Sequence, residues 1–208
     1  MSQTLLEATD LAIFRGEHCL FSKLSLAVGS GQVLQVSGDN GSGKTTLLRG
    51  LCTFVPLEAG AVAWRGTTLP DKRDLFYSEL TYLGHHEGLK GDLSVLENLA
   101  ASASLSGADG DRIPEAVEQV GLVSQAELPC RSLSAGQRRR VSLARSLVSH
   151  TPLWILDEPL TSLDIHGKTL VERLLVEHVT DGGLVVYTTH QPLTLPGCDV
   201  QILRMSDW

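Results

Sequence analysis

Apolar positions along the chain follow three different spacings. Up to about Gly66 they come in short runs that alternate with small or polar residues. Examples are Leu24-Ser25-Leu26-Ala27-Val28, Val33-Leu34-Gln35-Val36 and Ala61-Val62-Ala63-Trp64-Arg65-Gly66. Such alternation, punctuated by Gly29-Ser30-Gly31, predicts strands. From about Glu87 to Leu133 the spacing becomes helical, with Leu93, Leu96, Leu99 and Ala100, then Ala116, Val117 and Val120. The break between these groups, Gly107-Ala108-Asp109-Gly110-Asp111, is too short for an interdomain linker. An inserted, mostly helical lobe over about 87–133 is therefore expected. Beyond it, Val141, Leu143, Ala144, Leu147 and Val148 predict a further helix. The continuous runs Leu153-Trp154-Ile155-Leu156 and Leu184-Val185-Val186-Tyr187 read as strands covered on both faces of a parallel sheet. Leu170, Leu174, Leu175 and His178 suggest a crossover helix between them. The pattern predicts an α/β domain spanning residues 1–208.

The strand at Val33–Val36 runs into Gly38-Asp39-Asn40-Gly41-Ser42-Gly43-Lys44-Thr45, which fits the P-loop pattern at every fixed position. Thr46, Leu47, Leu48 and Leu51 then open a helix. Glycines at Gly38, Gly41 and Gly43 let main-chain N–H groups turn toward a phosphate, and the helix N-terminus adds positive dipole. Asn40, Ser42 and Thr46 belong to the same cradle. Lys44 is expected at the β- and γ-phosphates and Thr45 at a magnesium ion.

A second cluster starts where the Leu153–Leu156 run ends in Asp157-Glu158-Pro159. In P-loop enzymes the strand beside the P-loop ends in a carboxylate that holds Mg²⁺, and Asp157 suits that role. Glu158, one residue on, suits the water that attacks the γ-phosphate. Adjacent acids are common surface decoration, but four preceding apolar residues favour a buried strand end. Leu133-Ser134-Ala135-Gly136-Gln137 opens the next helix, and taken alone it is an ordinary helix cap at Ser134.

The order P-loop, L-S-x-G-Q, apolar strand with Asp157-Glu158, Ser162-Leu163-Asp164 and His190 resembles the ATP-binding-cassette (ABC) ATPases over essentially the whole chain. The resemblance implies a P-loop ATPase fold with an N-terminal antiparallel β subdomain and an inserted helical lobe. It also implies ATP and Mg²⁺. Ser134, Gly136 and Gln137 would form the signature motif that meets ATP held by a second protomer, and Ser162–Asp164 the loop that crosses that interface. His190 would be the switch histidine at the γ-phosphate. The base would stack near the N-terminus on Phe14 or, equally, on Arg15. Where the family has a metal-side glutamine, this chain has Tyr82-Leu83-Gly84-His85-His86, with His85 at that position. Mg²⁺ prefers oxygen ligands, so contact with water or phosphate suits His85 better. A haem-ligand reading of His85-His86 is the weaker one, because haem iron normally sits in a buried apolar pocket.

Within the family, Leu20–Ser25, Leu83-Gly84-His85, Leu153–Pro159 and Thr188–Leu193 resemble the ATP-binding subunit of the cytochrome c maturation haem exporter. That resemblance implies integral membrane transporter subunits as partners and a place on the cytoplasmic side of the bacterial inner membrane. ATP hydrolysis there would power haem export or release of a haem-loaded chaperone, with haem met only indirectly.

Composition narrows the alternatives. A net charge of −7 argues against a nucleic-acid partner. Cys19, Cys52, Cys130 and Cys198 are scattered and read as reduced thiols. The first residues, Met1 to Glu7, show no leader-like pattern, and no apolar run approaches the ~18–20 residues of a membrane span. A cassette for another cargo is the alternative reading. A soluble ABC ATPase would normally carry a coiled coil or a second cassette, and a non-hydrolysing regulator would not need both Lys44 and Glu158.

Overall fold

The computed structural model describes residues 4–71 and 73–208. Met1, Ser2 and Gln3, part of the stretch read for a leader, lie outside the described residues. Strands β1 (Thr4–Arg15) and β2 (His18–Gly29) form a long antiparallel hairpin. β3 (Gln32–Ser37) leads through the glycine loop into α1 (Lys44–Leu51). β4 (Ala59–Trp64) returns to pair antiparallel with β1, and β5 (Thr67–Thr68) extends the edge. Helix α2 (Arg73–Ser78) and strand β6 (Leu80–Leu83) follow. Helices α3 (Val95–Ser106) and α4 (Ile113–Gln119) fill the segment expected to be helical, and α5 (Ala135–Ser149) leads back to the sheet. The chain closes with β7 (Leu153–Leu156), α6 (Ile165–Thr180), β8 (Leu184–Thr188) and β9 (Asp199–Arg204).

Two sheets result: an antiparallel one in the order β2-β1-β4-β5, and a parallel one in the order β6-β7-β8-β3-β9. The fold is thus the expected α/β arrangement, with an antiparallel β subdomain and a helical lobe. Two details differ from expectation. The strands neighbouring β3 are β8 and β9, and the acid-tipped β7 lies one strand beyond β8. Leu93 precedes α3, where its carbonyl accepts from the Cys130 N–H at 2.9 Å.

The parallel sheet separates two cores. Trp154 and Leu156 of β7, with Val185 and Tyr187 of β8, pack with α3, α4, α5 and α6. Leu153 and Ile155, with Leu184 and Val186, pack with α1 and the antiparallel sheet. Strand side chains alternate faces, so a strand between two cores must be apolar at every position. That is why the runs at 153–156 and 184–187 are unbroken. Of the cysteines, Cys52 and Cys130 are buried in these cores and Cys19 is exposed; all four are free.

At the ends of the strands opposite the P-loop, the His178 ring of α6 stacks on Trp154 at 3.9 Å and 9°. Burial there draws the imidazole down to about pKa 4. An unfolded histidine takes a proton near pH 6.5, whereas the folded one resists to about pH 4, so acid favours unfolding across that window. The stability tied to the neutral ring is complete above about pH 6.5 and is withdrawn as pH falls toward 4. His178→Phe keeps a flat ring on Trp154 and binds no proton. It should lose less melting temperature than wild type between pH 6.5 and 4; parallel melting curves of the two proteins would refute this origin.

Candidate functional site

The glycine loop builds the first part of the site. Gly43 sits at φ +95°, a region costly for any residue with a Cβ, and forms the N-cap of α1. No side chain caps this helix. Its first-turn N–H groups are therefore left for a ligand anion. The buried Lys44 donates from Nζ to the carbonyls of Gly38 (2.7 Å) and Asp39 (2.9 Å), which keeps the ammonium against its own loop.

The second part is the end of β7. Asp157 is only 2% exposed, and both of its carboxyl oxygens are engaged. Thr45 Oγ1 donates to Oδ2 at 2.8 Å, and Thr188 Oγ1, at the end of β8, donates to Oδ1 at 2.7 Å. The same Thr188 oxygen accepts the Glu158 N–H at 2.9 Å. Glu158 itself adopts φ +50°, a strained region for a side-chain-bearing residue. Its Oε1 is buried with no hydrogen-bond partner and lies 3.2 Å from His190 Nε2, outside hydrogen-bond alignment.

These parts meet in one cavity of about 380 Å³, lined by Asn40, Gly41, Gly43, Lys44, Thr45, Thr46, His85, Asp157, Glu158 and His190. Of the two stacking candidates, Arg15 lines this cavity and Phe14 does not. Phe14 is 45% exposed. Leu20 and Thr161 also line it and carried no expectation. Gly38 and Ser42 lie behind the lining; a Cβ on Gly38 would meet Ser42 Oγ at 2.7 Å.

A neighbouring cavity of about 590 Å³ shares Thr45, His85 and Asp157 with the first, so His85 stands between the two. Its other walls include Phe54, Tyr82, His86, Arg139 and Arg145. Burial, helped by Asp157, pushes the Tyr82 hydroxyl up to about 12. His85 and His86 are both exposed, with rings 5.5 Å apart and nearly edge-on. A third cavity, about 330 Å³ beside Trp154 and His178, contains none of the expected site residues.

Ser134, Gly136, Gln137 and Asp164 form a separate surface cluster with Ser162, Leu163 and Arg140, sharing no lining residue with the glycine-loop cavity. Ser134 and Gln137 satisfy each other's backbone in a capping box at the start of α5. A Cβ on Gly136 would lie 2.9 Å from the Ser162 carbonyl oxygen, so only glycine lets the two segments touch this closely. Asp164 caps α6 through the Gly167 N–H at 2.8 Å. That bond, with Arg140 nearby, lowers its carboxyl below the usual range.

A further contributor carried no expectation from the sequence. Arg139, 2% exposed on α5, donates to the carbonyls of Asp157 (2.9 Å), Glu158 (2.7 Å), Pro159 (3.2 Å) and Gly84 (3.0 Å). Burial pulls its guanidinium below the usual arginine pKa.

Residues 21–161 match the protein family described as ABC transporter. The cytochrome c biogenesis ATP-binding export protein CcmA of Nitrosomonas europaea is 46% identical, over 97% of this chain and 96% of that protein. The protein of the same name from Methylococcus capsulatus is 45% identical, over 99% and 100%. Among solved structures, an ABC transporter ATP-binding protein from Pyrococcus furiosus has 26% identity and a TM-score of 0.84, covering 98% of either chain.

Thr188→Val keeps the shape of the buried Thr188 and removes its hydroxyl. Asp157 Oδ1 and the Glu158 N–H would then both lose their partner. The expected cost is about 1–3 kcal/mol of folding stability in urea titration, with Thr188→Ser close to wild type. Equal stability of Thr188→Val and wild type would show that the hydroxyl is not needed at the strand end.

Proposed function

The chain belongs to the ABC transporter family of ATP-binding proteins, and from that premise we propose that it is the ATP-hydrolysing subunit of an exporter in cytochrome c biogenesis. The observation that carries the reading is one cavity holding both an uncapped P-loop helix and the Asp157–Glu158 strand end, with His190 at 3.2 Å from Glu158.

In this reading the glycine-loop N–H groups and Lys44 bind the β- and γ-phosphates of ATP. Arg15 packs against the adenine by its guanidinium plane. Thr45 and Asp157 offer Mg²⁺ two oxygen donors already in contact at 2.8 Å, a donor set that suits a hard cation whose remaining positions go to phosphate and water. Among the described residues no group of three or more His, Cys, Asp and Glu could hold a metal ion. Bound there, Mg²⁺ would neutralise charge on the transferring phosphoryl group. Glu158 accepts the proton of a water that attacks the γ-phosphorus, the bond to the β–γ bridging oxygen breaks, and ADP and phosphate leave. His190 holds the γ-phosphate and that water in line.

The Ser134–Gln137 cluster, apart from the P-loop within one chain, would close over ATP held by a second protomer. The helix start there favours an anion. The cavity beyond His85 would receive integral membrane subunits, since it adjoins the γ-phosphate side and the helical lobe. No helix among the described residues is long and apolar enough to cross a membrane; the place proposed for the subunit is peripheral, on the cytoplasmic face. ATP turnover would then drive haem export, or release of a haem-loaded chaperone, without haem touching this chain.

Glu158→Gln should lower kcat by ~10²-fold or more while ATP affinity stays near wild type, and Lys44→Ala should weaken affinity itself. Calorimetry and phosphate release check both. In cells lacking the native gene, wild-type chain should restore mature c-type cytochromes and Glu158→Gln should not. Normal hydrolysis by Glu158→Gln would overturn the catalytic assignment. Unchanged cytochrome yield without the gene would point to another cargo.

A further inference from the structure

Among the described residues the Glu158 carboxyl makes no hydrogen bond. Oε1 is buried without a hydrogen bond, and the contact with His190 is out of line. Its aim must therefore come from its main chain, which sits at φ +50°. Three groups hold that main chain. Thr188 Oγ1 accepts its N–H at 2.9 Å, Arg139 Nη2 donates to its carbonyl at 2.7 Å, and the Thr161 N–H donates to the same carbonyl at 3.1 Å.

Arg139 does more than that single bond. Nη2 also meets the Asp157 carbonyl, Nε the Pro159 carbonyl, and Nη1 the Gly84 carbonyl just before His85. Among the described residues it has no carboxylate partner within ion-pair distance. A buried cation without a directly paired carboxylate is costly and persists only where other groups satisfy it; Glu87, Asp157 and Glu158 favour its charge from further off. Here three consecutive carbonyls converge because the chain turns at Glu158, and the planar fork of donors matches them. Lysine, with one nitrogen, cannot span Gly84 and residues 157–159 together.

We propose that Arg139 is a positioning residue for hydrolysis, fixing the main chain of Glu158, and the segment bearing His85, against the helix that begins at Ser134. This rests on the reading that Glu158 is the hydrolytic carboxyl. A shift of about 1 Å in a catalytic group is enough to cost ~10²-fold in rate. Among the described residues the guanidinium makes no hydrogen bond to the glycine loop, so nucleotide binding should be spared.

The test compares wild type, Glu158→Gln, Arg139→Lys and Arg139→Ala for kcat, ATP affinity and melting temperature. Arg139→Lys is expected to lose ten-fold or more in kcat with ATP affinity within about threefold of wild type. Arg139→Ala should lose more, and millimolar methylguanidinium should restore part of its rate where equal methylammonium does not. If Arg139→Ala fails to fold, Arg139→Lys, which keeps the charge, carries the test. A kcat within twofold of wild type in Arg139→Lys would overturn the proposal, as would loss of ATP affinity in step with kcat. Normal turnover by Glu158→Gln would instead overturn the underlying reading, which separates the two failures.

Discussion

The structure depends on keeping one carboxyl, that of Asp157, buried and fully bonded at the end of β7. A carboxyl that is 2% exposed must be met by donors or a cation, or the strand end would not stay closed. The donors come from two other parts of the chain: Thr45 from the start of α1, and Thr188 from the end of β8. Asp157 thereby ties the phosphate-binding helix to the two central strands. With Thr45 brought to 2.8 Å, the two oxygen donors of the proposed magnesium site are brought together by the fold itself.

The sheet makes this meeting possible. In the order β6-β7-β8-β3-β9 every strand runs the same way, so the loops after β3, β6, β7 and β8 emerge on one edge. Those loops lead to Lys44, at the start of α1, and carry His85, Glu158 and His190 respectively. Burial on both faces fixes the strands, because alternate residues of β7 and β8 belong to different cores. A slip by one residue would exchange the two cores' side chains wholesale. Arg139 adds a tie perpendicular to the sheet, from α5 to the carbonyls at the ends of β6 and β7.

Much of this was legible in the sequence because its signals are local. The P-loop is a main-chain pattern, and Ser134 with Gln137 is a capping box written in four residues. The runs at 153–156 and 184–187 reveal two-sided burial directly. Other features depend on contacts remote in sequence. Arg139 lies within Arg138-Arg139-Arg140, which reads as a solvated helix face. The available clue was its register: it stands four residues before Leu143 and seven before Ser146, on the stripe that α5 buries. Strand order was equally hidden, so the intervening β8 and the role of Thr188 were missed. β9 escaped notice because it is an edge strand with Val200 and Ile202 exposed, and α2 because it is six residues long with only Phe76 buried.

The central claim is that the β7 strand end supplies the cation side of a nucleotide site whose phosphate side is the glycine loop. Calorimetric titration of ATP with and without Mg²⁺, on wild type and Asp157→Asn, tests it most directly. The account predicts that Mg²⁺ tightens ATP binding to wild type, that this increment vanishes in Asp157→Asn, and that Mg²⁺-free binding is the same in both. An Asp157→Asn protein that keeps the full Mg²⁺ increment would contradict it.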